Sequence, residues 1–401
     1  MRVVLTGGAT GGHLVPFEPI ADALRALHQE QRDSLPAWLE KNKLEIYFLG
    51  VLNEEARAFF KRLGITAIHI PTGKLRRYAS TQTVPDILFR LPFGIALALF
   101  QMWRIMPDVV ISKGGYGGIP VAMAAVVYRI PFLLHESDAV SGLANRMMAR
   151  WASVITVGFA ATRETIGAYR EKTIVTGTPV RSSLAALSKE AGKRVFGFSA
   201  KTPVLLIMGG SQGATQLNNI LLQTLTALLP TMGIIHLTGG DHVADVTKAA
   251  KETLGTPELP SSYQPFGYLR EQMPAALAAA DAVVTRAGAT SLAELALLKK
   301  AIIIVPLDTA AQNHQRRNAE IFVAAAAARI IDPANLGRSL FIQNVTDLTG
   351  DQEIRETLEN NIAQLSRLQA ARDIALLVFK LAAGLVPRQP NGPAPGQTKT
   401  A

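Results

Sequence analysis

The densest set of residues able to do chemistry lies between Thr285 and Asn318. An apolar run, Ala282–Thr285, ends in Arg286-Ala287-Gly288-Ala289-Thr290-Ser291, and a helical pattern carrying Glu294 follows. The small residues leave the N–H groups of Ala289, Thr290 and Ser291 open at a helix start. Dipole and orphan donors there favour an anion such as a diphosphate. A carboxylate one turn further in, Glu294, suits the two hydroxyls of a ribose. The competing reading is a capping box, because Ser291 and Glu294 have that spacing. After a second apolar run, Ala301–Val305, come Gln312-Asn313-His314-Gln315-Arg316-Arg317-Asn318. Amides and an imidazole in a row suit several sugar hydroxyls, and the plainer reading is a polar helix start.

A second constellation opens the chain. Leu5-Thr6-Gly7-Gly8-Ala9-Thr10-Gly11-Gly12-His13 lies between an apolar strand and a helical pattern. Glycines there let a phosphate approach the backbone, and a tight turn without a ligand is the alternative. His13 and Glu136 are the candidate general bases of the first half, each set against a structural hydrogen bond at a loop end. Gly7-Gly8…Gly11-Gly12-His13 is not Gly-x-Gly-x-x-Gly, and Leu49-Gly50 stands where a nicotinamide enzyme would carry its acidic residue. No Gly-x-Ser-x-Gly elbow marks a hydrolase. There is no Asp-x-Asp, and none of the 7 histidines pairs with another at metal-ligand spacing, so no metal and no cofactor are expected.

The elements that must position these residues alternate. Strand patterns at Arg2–Leu5, Leu44–Leu49, Ala67–Ile70, Val109–Ser112, Phe132–His135, Val154–Val157 and Thr173–Val175 are separated by helical patterns. Val109–Ser112 leads into Gly114-Gly115-Tyr116-Gly117-Gly118, and Phe132–His135 into a polar loop, His135-Glu136-Ser137-Asp138. After Gly177-Thr178-Pro179-Val180-Arg181 the pattern restarts at Val204–Met208, which runs into Gly209-Gly210-Ser211-Gln212-Gly213-Ala214. Strands near Gly233–Leu237, Gln264–Gly267, Ala282–Thr285 and Ala301–Val305 follow, with helices from Met273 and Ser291. The expected fold is α/β, two tandem doubly wound parallel sheets, with ligands at the carboxyl ends of the strands. The expected domains are 1–181 and 182–364. A C-terminal helix near 365–385 is expected to pack back on the first, and the Pro- and Gly-rich 386–401 to be a disordered tail. Gln29–Lys43 reads as a surface insertion.

The 401 residues suffice for two cores, and 48% hydrophobic against 18% charged content excludes a disordered chain. There is no cysteine, so thiol catalysis and disulfides are excluded. A net charge of +10 points to an anionic partner. The chain enters a strand at once, so no signal peptide is expected. Ile87–Met106 is the most membrane-like stretch, but Arg90, Pro92 and Arg104 leave an apolar core shorter than the roughly 20 residues of a span. Lys74, Arg76, Arg77, Arg90 and Arg104 alternate with Leu75, Leu88, Phe89, Phe93 and Trp103, and Arg146 and Arg150 lie near Trp151. That mixture suits an anionic membrane surface, against the alternative of an ordinary amphipathic helix.

Taken in order, Gly7–His13, Gly114-Gly115-Tyr116, His135-Glu136, Gly177–Arg181, Gly209–Ala214 and Arg286–Ala289 resemble the MurG family, the bacterial family-28 glycosyltransferases that make lipid II. The resemblance runs from Arg2 to about Asn318. It implies a GT-B fold, two Rossmann-like domains facing a central cleft. It implies inverting transfer of N-acetylglucosamine from UDP-GlcNAc to the 4-hydroxyl of MurNAc in undecaprenyl-diphospho-MurNAc-pentapeptide, lipid I. By motif, Arg286 and the main chain near Leu269–Arg270 would flank the uracil, and the Ala289, Thr290 and Ser291 amides would hold the diphosphate near Ser211. Glu294 would hold the ribose, and Gln315, with His314 and Asn318, the sugar hydroxyls. Arg181 would reach into the cleft. Thr10, Gly11 and Gly12 would face donor sugar and acceptor diphosphate, with Gly115, Tyr116 and Asp138 on the acceptor side.

The resemblance further implies a peripheral enzyme on the cytoplasmic face of the bacterial plasma membrane, with UDP-GlcNAc, lipid I, the anionic membrane surface and other cell-wall enzymes as partners, and no nucleic acid. The sequence departs from the family pattern in four places. Ala9 replaces a glycine, and Gly117-Gly118-Ile119-Pro120 stands for Val-Ser-Gly-Pro. Ser137-Asp138 stands for Gln-Asn, which adds a carboxylate, and Thr178 replaces Asn. The alternatives are a GT-B transferase with another acceptor, which the first-half loops disfavour, and a non-catalytic nucleotide-sugar scaffold, disfavoured by His13, Glu294 and Gln315 together.

Overall fold

The computed structural model describes residues 1–8, 11–30, 43–73, 86–209, 215–269, 271–307 and 313–385. The chain divides into two compact units. Met1–Val180 and the segment from Gln369 onward form the first, and Arg181–Leu368 the second.

Each unit is built on one parallel sheet. The first holds β1 (Arg2–Thr6), β2 (Glu45–Gly50), β3 (Thr66–His69), β4 (Val109–Ser112), β5 (Phe132–Glu136), β6 (Val154–Val157) and β7 (Thr173–Val175), in the order β3-β2-β1-β4-β5-β6-β7. The second holds β8 (Val204–Met208), β9 (Gly233–Leu237), β10 (Tyr263–Phe266), β11 (Ala282–Thr285), β12 (Ala301–Ile304) and β13 (Arg329–Ile330), in the order β10-β9-β8-β11-β12-β13. Both orders reverse direction beside their first strand, between β1 and β4 and between β8 and β11. Such a switch point opens a crevice at the carboxyl ends of the strands. The candidate loops after β1 and β4 leave strands that flank the first sheet's switch point, and those after β8 and β11 leave strands that flank the second's.

The strand residues explain the layering. In β1, Val3 and Leu5 face one apolar layer with Phe17, Leu24, Phe48 and Phe60. Val4 faces the other layer with Leu49, Val110 and Leu134. Burial on both faces is why these strands read as unbroken apolar runs. The C-terminal region, where a helix near 365–385 was expected, holds two helices, Gln352–Gln364 and Ala370–Ala382. They serve different units. Leu358 and Ile362 of the first cover the second unit, whereas Ile374, Val378 and Phe379 of the second complete the first unit's core. Each such apolar side chain contributes about 1.5–3 kcal/mol. The helix Arg338–Gly350 and the two-residue β13 have no counterpart in the sequence reading.

The helix Leu91–Ile105 packs through its small residues. A Cβ on Gly94 would stand 1.9 Å from the Pro71 carbonyl oxygen, so only glycine permits this approach. Gly94, Ala98, Met102 and Ile105 are buried. Phe89 (71% exposed), Phe93 (64%) and Trp103 (61%) point outward, as does Phe100. The stretch Leu88–Ile105 is long and apolar enough, by length and composition alone, to cross a membrane, and 22% of it is buried.

Candidate active site

In the first unit the glycine turns after β1 and β4 meet around His13. The ring lies between them: a Cβ on Gly8 would stand 3.1 Å from His13 Nδ1, and one on Gly115 3.4 Å from Nε2. Gly12 and His13 belong to a short turn, Gly11–Leu14. Gly114 and Gly115 have φ of 85° and 77°, a region that glycine enters without strain. A side chain at Gly114 would collide with Asn145, because its Cβ would lie 2.1 Å from Oδ1. The Gly115 N–H donates to that same Oδ1 at 3.2 Å.

Asn145 in turn rests on Glu136. Its Nδ2 donates to Glu136 Oε2 at 2.7 Å. The N–H groups of Asp138 and Gly142 donate to the same carboxylate at 3.0 and 3.1 Å. His135 and Glu136, placed by the sequence reading in a polar loop, are the last two residues of β5 and are buried. The strand runs one residue further than expected, to Glu136, because these polar side chains find partners inside. Burial pushes the Glu136 carboxyl up, the Asp138 charge adds to this, and the three hydrogen bonds pull it back.

Beside Glu136 lies a buried chain that the sequence reading missed. The Lys113 ammonium donates to Ser137 Oγ. Ser137 Oγ meets His135 Nε2 at 3.2 Å, and His135 Nδ1 meets Thr156 Oγ1 at 2.9 Å. Burial lowers the Lys113 pKa, while the Glu136 and Asp138 charges oppose the shift. Burial, with the Lys113 charge, also holds His135 well below the usual imidazole range. A lysine directly after an apolar strand was the available signal. Asp138 is half-buried, and its carbonyl accepts from Thr162 Oγ1 at 2.9 Å. The Tyr116 carbonyl accepts from Thr72 Oγ1 at 3.2 Å.

In the second unit the constellation Thr285–Asn318 closes on itself. The helix after β11 spans Ala289–Leu297, two residues earlier than expected, with Gly288 as its cap and no side-chain cap bond. Ser291 is therefore the third helical residue, which removes the capping-box reading. The N–H groups of Ala289, Thr290 and Ser291 form the first turn, where no earlier helical carbonyl can receive them. Arg286 is buried. Its Nη1 donates to the carbonyls of Val305 and Pro306, each at 3.0 Å, and its Nη2 to Gln216 Oε1 at 3.5 Å. The helix His314–Ala324 supplies Gln315 and Asn318. Gln315 Oε1 accepts from the Leu307 N–H at 3.0 Å, and Asn318 Nδ2 donates to the Ala287 carbonyl at 2.9 Å. Arg286, Gln315 and Asn318 thus fix the loops after β11 and β12. His314 opens the helix and is half-buried. Glu294 is buried and accepts from Arg181 Nη2 at 2.9 Å.

Thr10, Ser211, Arg270, Lys74, Arg76 and Arg77 lie outside the described residues, as do most of the expected insertion and the 386–401 tail. Among the described residues no group of three or more His, Asp and Glu could hold a metal ion.

Two parallel sheets with matching strand orders, each with its loops at a switch point, give the chain two Rossmann-like domains, the building blocks of the GT-B fold. The family models agree on both halves. Residues 3–157 match the glycosyltransferase family 28 N-terminal domain and residues 204–375 the family 28 C-terminal domain. The chain is 32% identical over 381 residues to the UDP-N-acetylglucosamine–N-acetylmuramyl-(pentapeptide) pyrophosphoryl-undecaprenol N-acetylglucosamine transferase of Shouchella clausii, covering 95% of this chain and 98% of that one. It is 34% identical over 384 residues to the Desulfotalea psychrophila protein of the same name, covering 95% and 96%. The crystal structure of Acinetobacter baumannii MurG shares the fold, with a TM-score of 0.67 at 24% identity over 94% of this chain and 99% of that one. This chain belongs to the family-28 MurG glycosyltransferases.

Proposed function

We infer that this enzyme transfers N-acetylglucosamine from UDP-GlcNAc to the MurNAc 4-hydroxyl of undecaprenyl-diphospho-MurNAc-pentapeptide, converting lipid I to lipid II in peptidoglycan synthesis. The observation that carries the reading is the helix Ala289–Leu297: three first-turn amides among small residues, with a buried carboxylate one turn on. The second unit takes the UDP-sugar. Ala289, Thr290 and Ser291 receive the diphosphate, Glu294 the ribose, and the start of the His314–Ala324 helix lies toward the sugar. Arg286 and Asn318 act by holding loops, since their side chains are bonded to backbone carbonyls.

The first unit takes the acceptor, with its diphosphate against the glycine turns at Gly12 and Gly115. His13 is the general base. It takes the proton of the 4-hydroxyl as that oxygen attacks C1 from the side opposite UDP, which inverts the anomeric centre. The C1–O bond breaks, and its electron pair leaves on the diphosphate, where helix-start amides and Arg181 stabilise it. Glu136 is not given this role. Its carboxylate already receives three donors, and it acts by holding Asn145 against the Gly114–Gly115 turn. No step calls on a metal or cofactor. The outward face with Phe89, Phe93 and Trp103, beside Arg90, rests on the anionic cytoplasmic surface of the plasma membrane, where a lipid-linked acceptor resides.

Incubation with UDP-GlcNAc and a lipid I analogue is the direct test. UDP release together with a β1→4 disaccharide product is the expected result. UDP release without that product would assign the enzyme to another acceptor.

A further inference from the structure

Glu294, the carboxylate that the donor reading gives to the ribose, is held by a cation. Arg181 Nη2 donates to its Oε1 at 2.9 Å, and the two side chains are 20% and 8% exposed. Arg181 is the first residue of the second unit and sits in extended conformation just before the turn Ser182–Ala185. Its Nε is buried and meets no hydrogen-bond partner. A buried guanidinium with a donor unused has capacity for a further acceptor, and leaving that donor unmet carries a cost.

We propose that Arg181 and Glu294 form an exchange pair that makes ribose binding conditional on a diphosphate. The inference rests on the reading of Glu294 as the ribose carboxylate. A ribose diol is neutral. To reach Glu294 it must displace a charge-assisted hydrogen bond, roughly twice as strong as a neutral one, and strand a cation that is mostly out of water. A nucleoside alone offers that cation nothing. A nucleoside diphosphate brings its own anion to the helix start one turn from Glu294, and its oxygens satisfy the guanidinium, Nε included, as the diol takes the carboxylate. Arg181 therefore discriminates for diphosphates twice. It attracts them, and it withholds the ribose site from ligands without one.

Titration of the wild-type enzyme, Arg181→Met and Glu294→Gln with uridine and separately with UDP, by calorimetry, tests this. Arg181→Met should bind uridine about tenfold more tightly and UDP about tenfold more weakly than wild type. A mere phosphate contact would weaken UDP and leave uridine unchanged, and that result, or weaker uridine binding, overturns the exchange. Glu294→Gln separates the underlying reading: it should lose most uridine affinity, and if it retains it, Glu294 does not hold the ribose at all. Should Arg181→Met not fold, Arg181→Lys serves. Its ammonium pairs less well with the carboxylate, so uridine should again tighten, by a smaller factor, and no tightening counts against the exchange.

Discussion

Glu136 in the first unit and Glu294 in the second are both buried carboxylates at a sheet's functional edge, and their surroundings satisfy them in opposite ways. Glu136 receives two backbone N–H groups and an asparagine amide, all uncharged and all fixed to the fold. Glu294 receives a guanidinium on a long side chain. Neutral fixed donors make a carboxylate part of the scaffold. A mobile charged partner makes one that a ligand can take over, provided the ligand also brings charge. The first unit has in this way fixed the turns around His13, and in the second the Arg181–Glu294 pair is the proposed exchangeable site for a charged nucleotide.

Kinetics separate the two regions with the largest expected effect. His13→Ala should lower kcat by about 10²–10⁴, the usual range for a general base, with the KM for UDP-GlcNAc little changed. Glu294→Gln should act chiefly on that KM. Steady-state rates with both substrates varied would show the split. Wild-type turnover in His13→Ala removes the imidazole from proton transfer and breaks the division of labour.

Stability sharpens the contrast between the two carboxylates. Glu136→Gln keeps one acceptor oxygen and turns an NH₂ toward at least one of the three donors inside the protein, so it should cost about 2–4 kcal/mol in urea unfolding. Glu294→Gln should cost less, about 1 kcal/mol, because its amide oxygen can still accept from the Arg181 guanidinium. Equal losses would mean that Glu294 is as much scaffold as Glu136.

The first region also buries a titrating cation, which gives it a pH signature. Burial lowers the Lys113 pKa below the ordinary lysine value of 10.5. At neutral pH both folded and unfolded chains carry the proton, and the cost of burying the charge is present in full. As the pH rises through the lowered folded value toward 10.5, the folded chain loses the proton first. The unfolded chain then binds more protons, and stability rises with pH. Relative to Lys113→Met, the wild type should therefore gain stability between pH 7 and pH 9.5 in paired urea titrations. A constant difference would place the Lys113 ammonium in contact with water.

The two regions were also unequally legible in the sequence. Unbroken apolar strands and glycine turns fixed the order of elements, because two-sided burial and close backbone approach leave few residue choices. The helix start at Ala289 was anticipated only to within two residues, since Gly288 caps it through the backbone and offers no side-chain signal. Site side chains were legible as types and less so as partners. Arg286 and Asn318 have the chemistry to meet a ligand, but which carbonyl lies within reach depends on how loops after separate strands fold back. The Lys113–Ser137–His135–Thr156 chain joins three strands, β4, β5 and β6, and no local spacing encodes it.

The outer surface carries the smallest expected effect. Within the helix Leu91–Ile105 and the turn before it, the buried face is Gly94, Ala98, Met102 and Ile105, and the opposite face presents Phe89, Phe93, Phe100 and Trp103 over four successive turns. A soluble helix normally turns its small residues outward and its aromatics inward, so this one is inverted for a solvent-facing role. Replacing Phe89, Phe93 and Trp103 together by serine removes apolar area without touching Gly94 or its approach to Pro71. Sedimentation with phosphatidylglycerol vesicles should then fall by about tenfold or more, while UDP binding, proposed for the other unit, should stay at the wild-type value. If the triple variant sediments as the wild type does, the aromatic face has another occupant and membrane contact must lie elsewhere on the chain. If UDP binding falls as well, the surface and the nucleotide site are coupled, and the assignment of separate tasks to the two units fails.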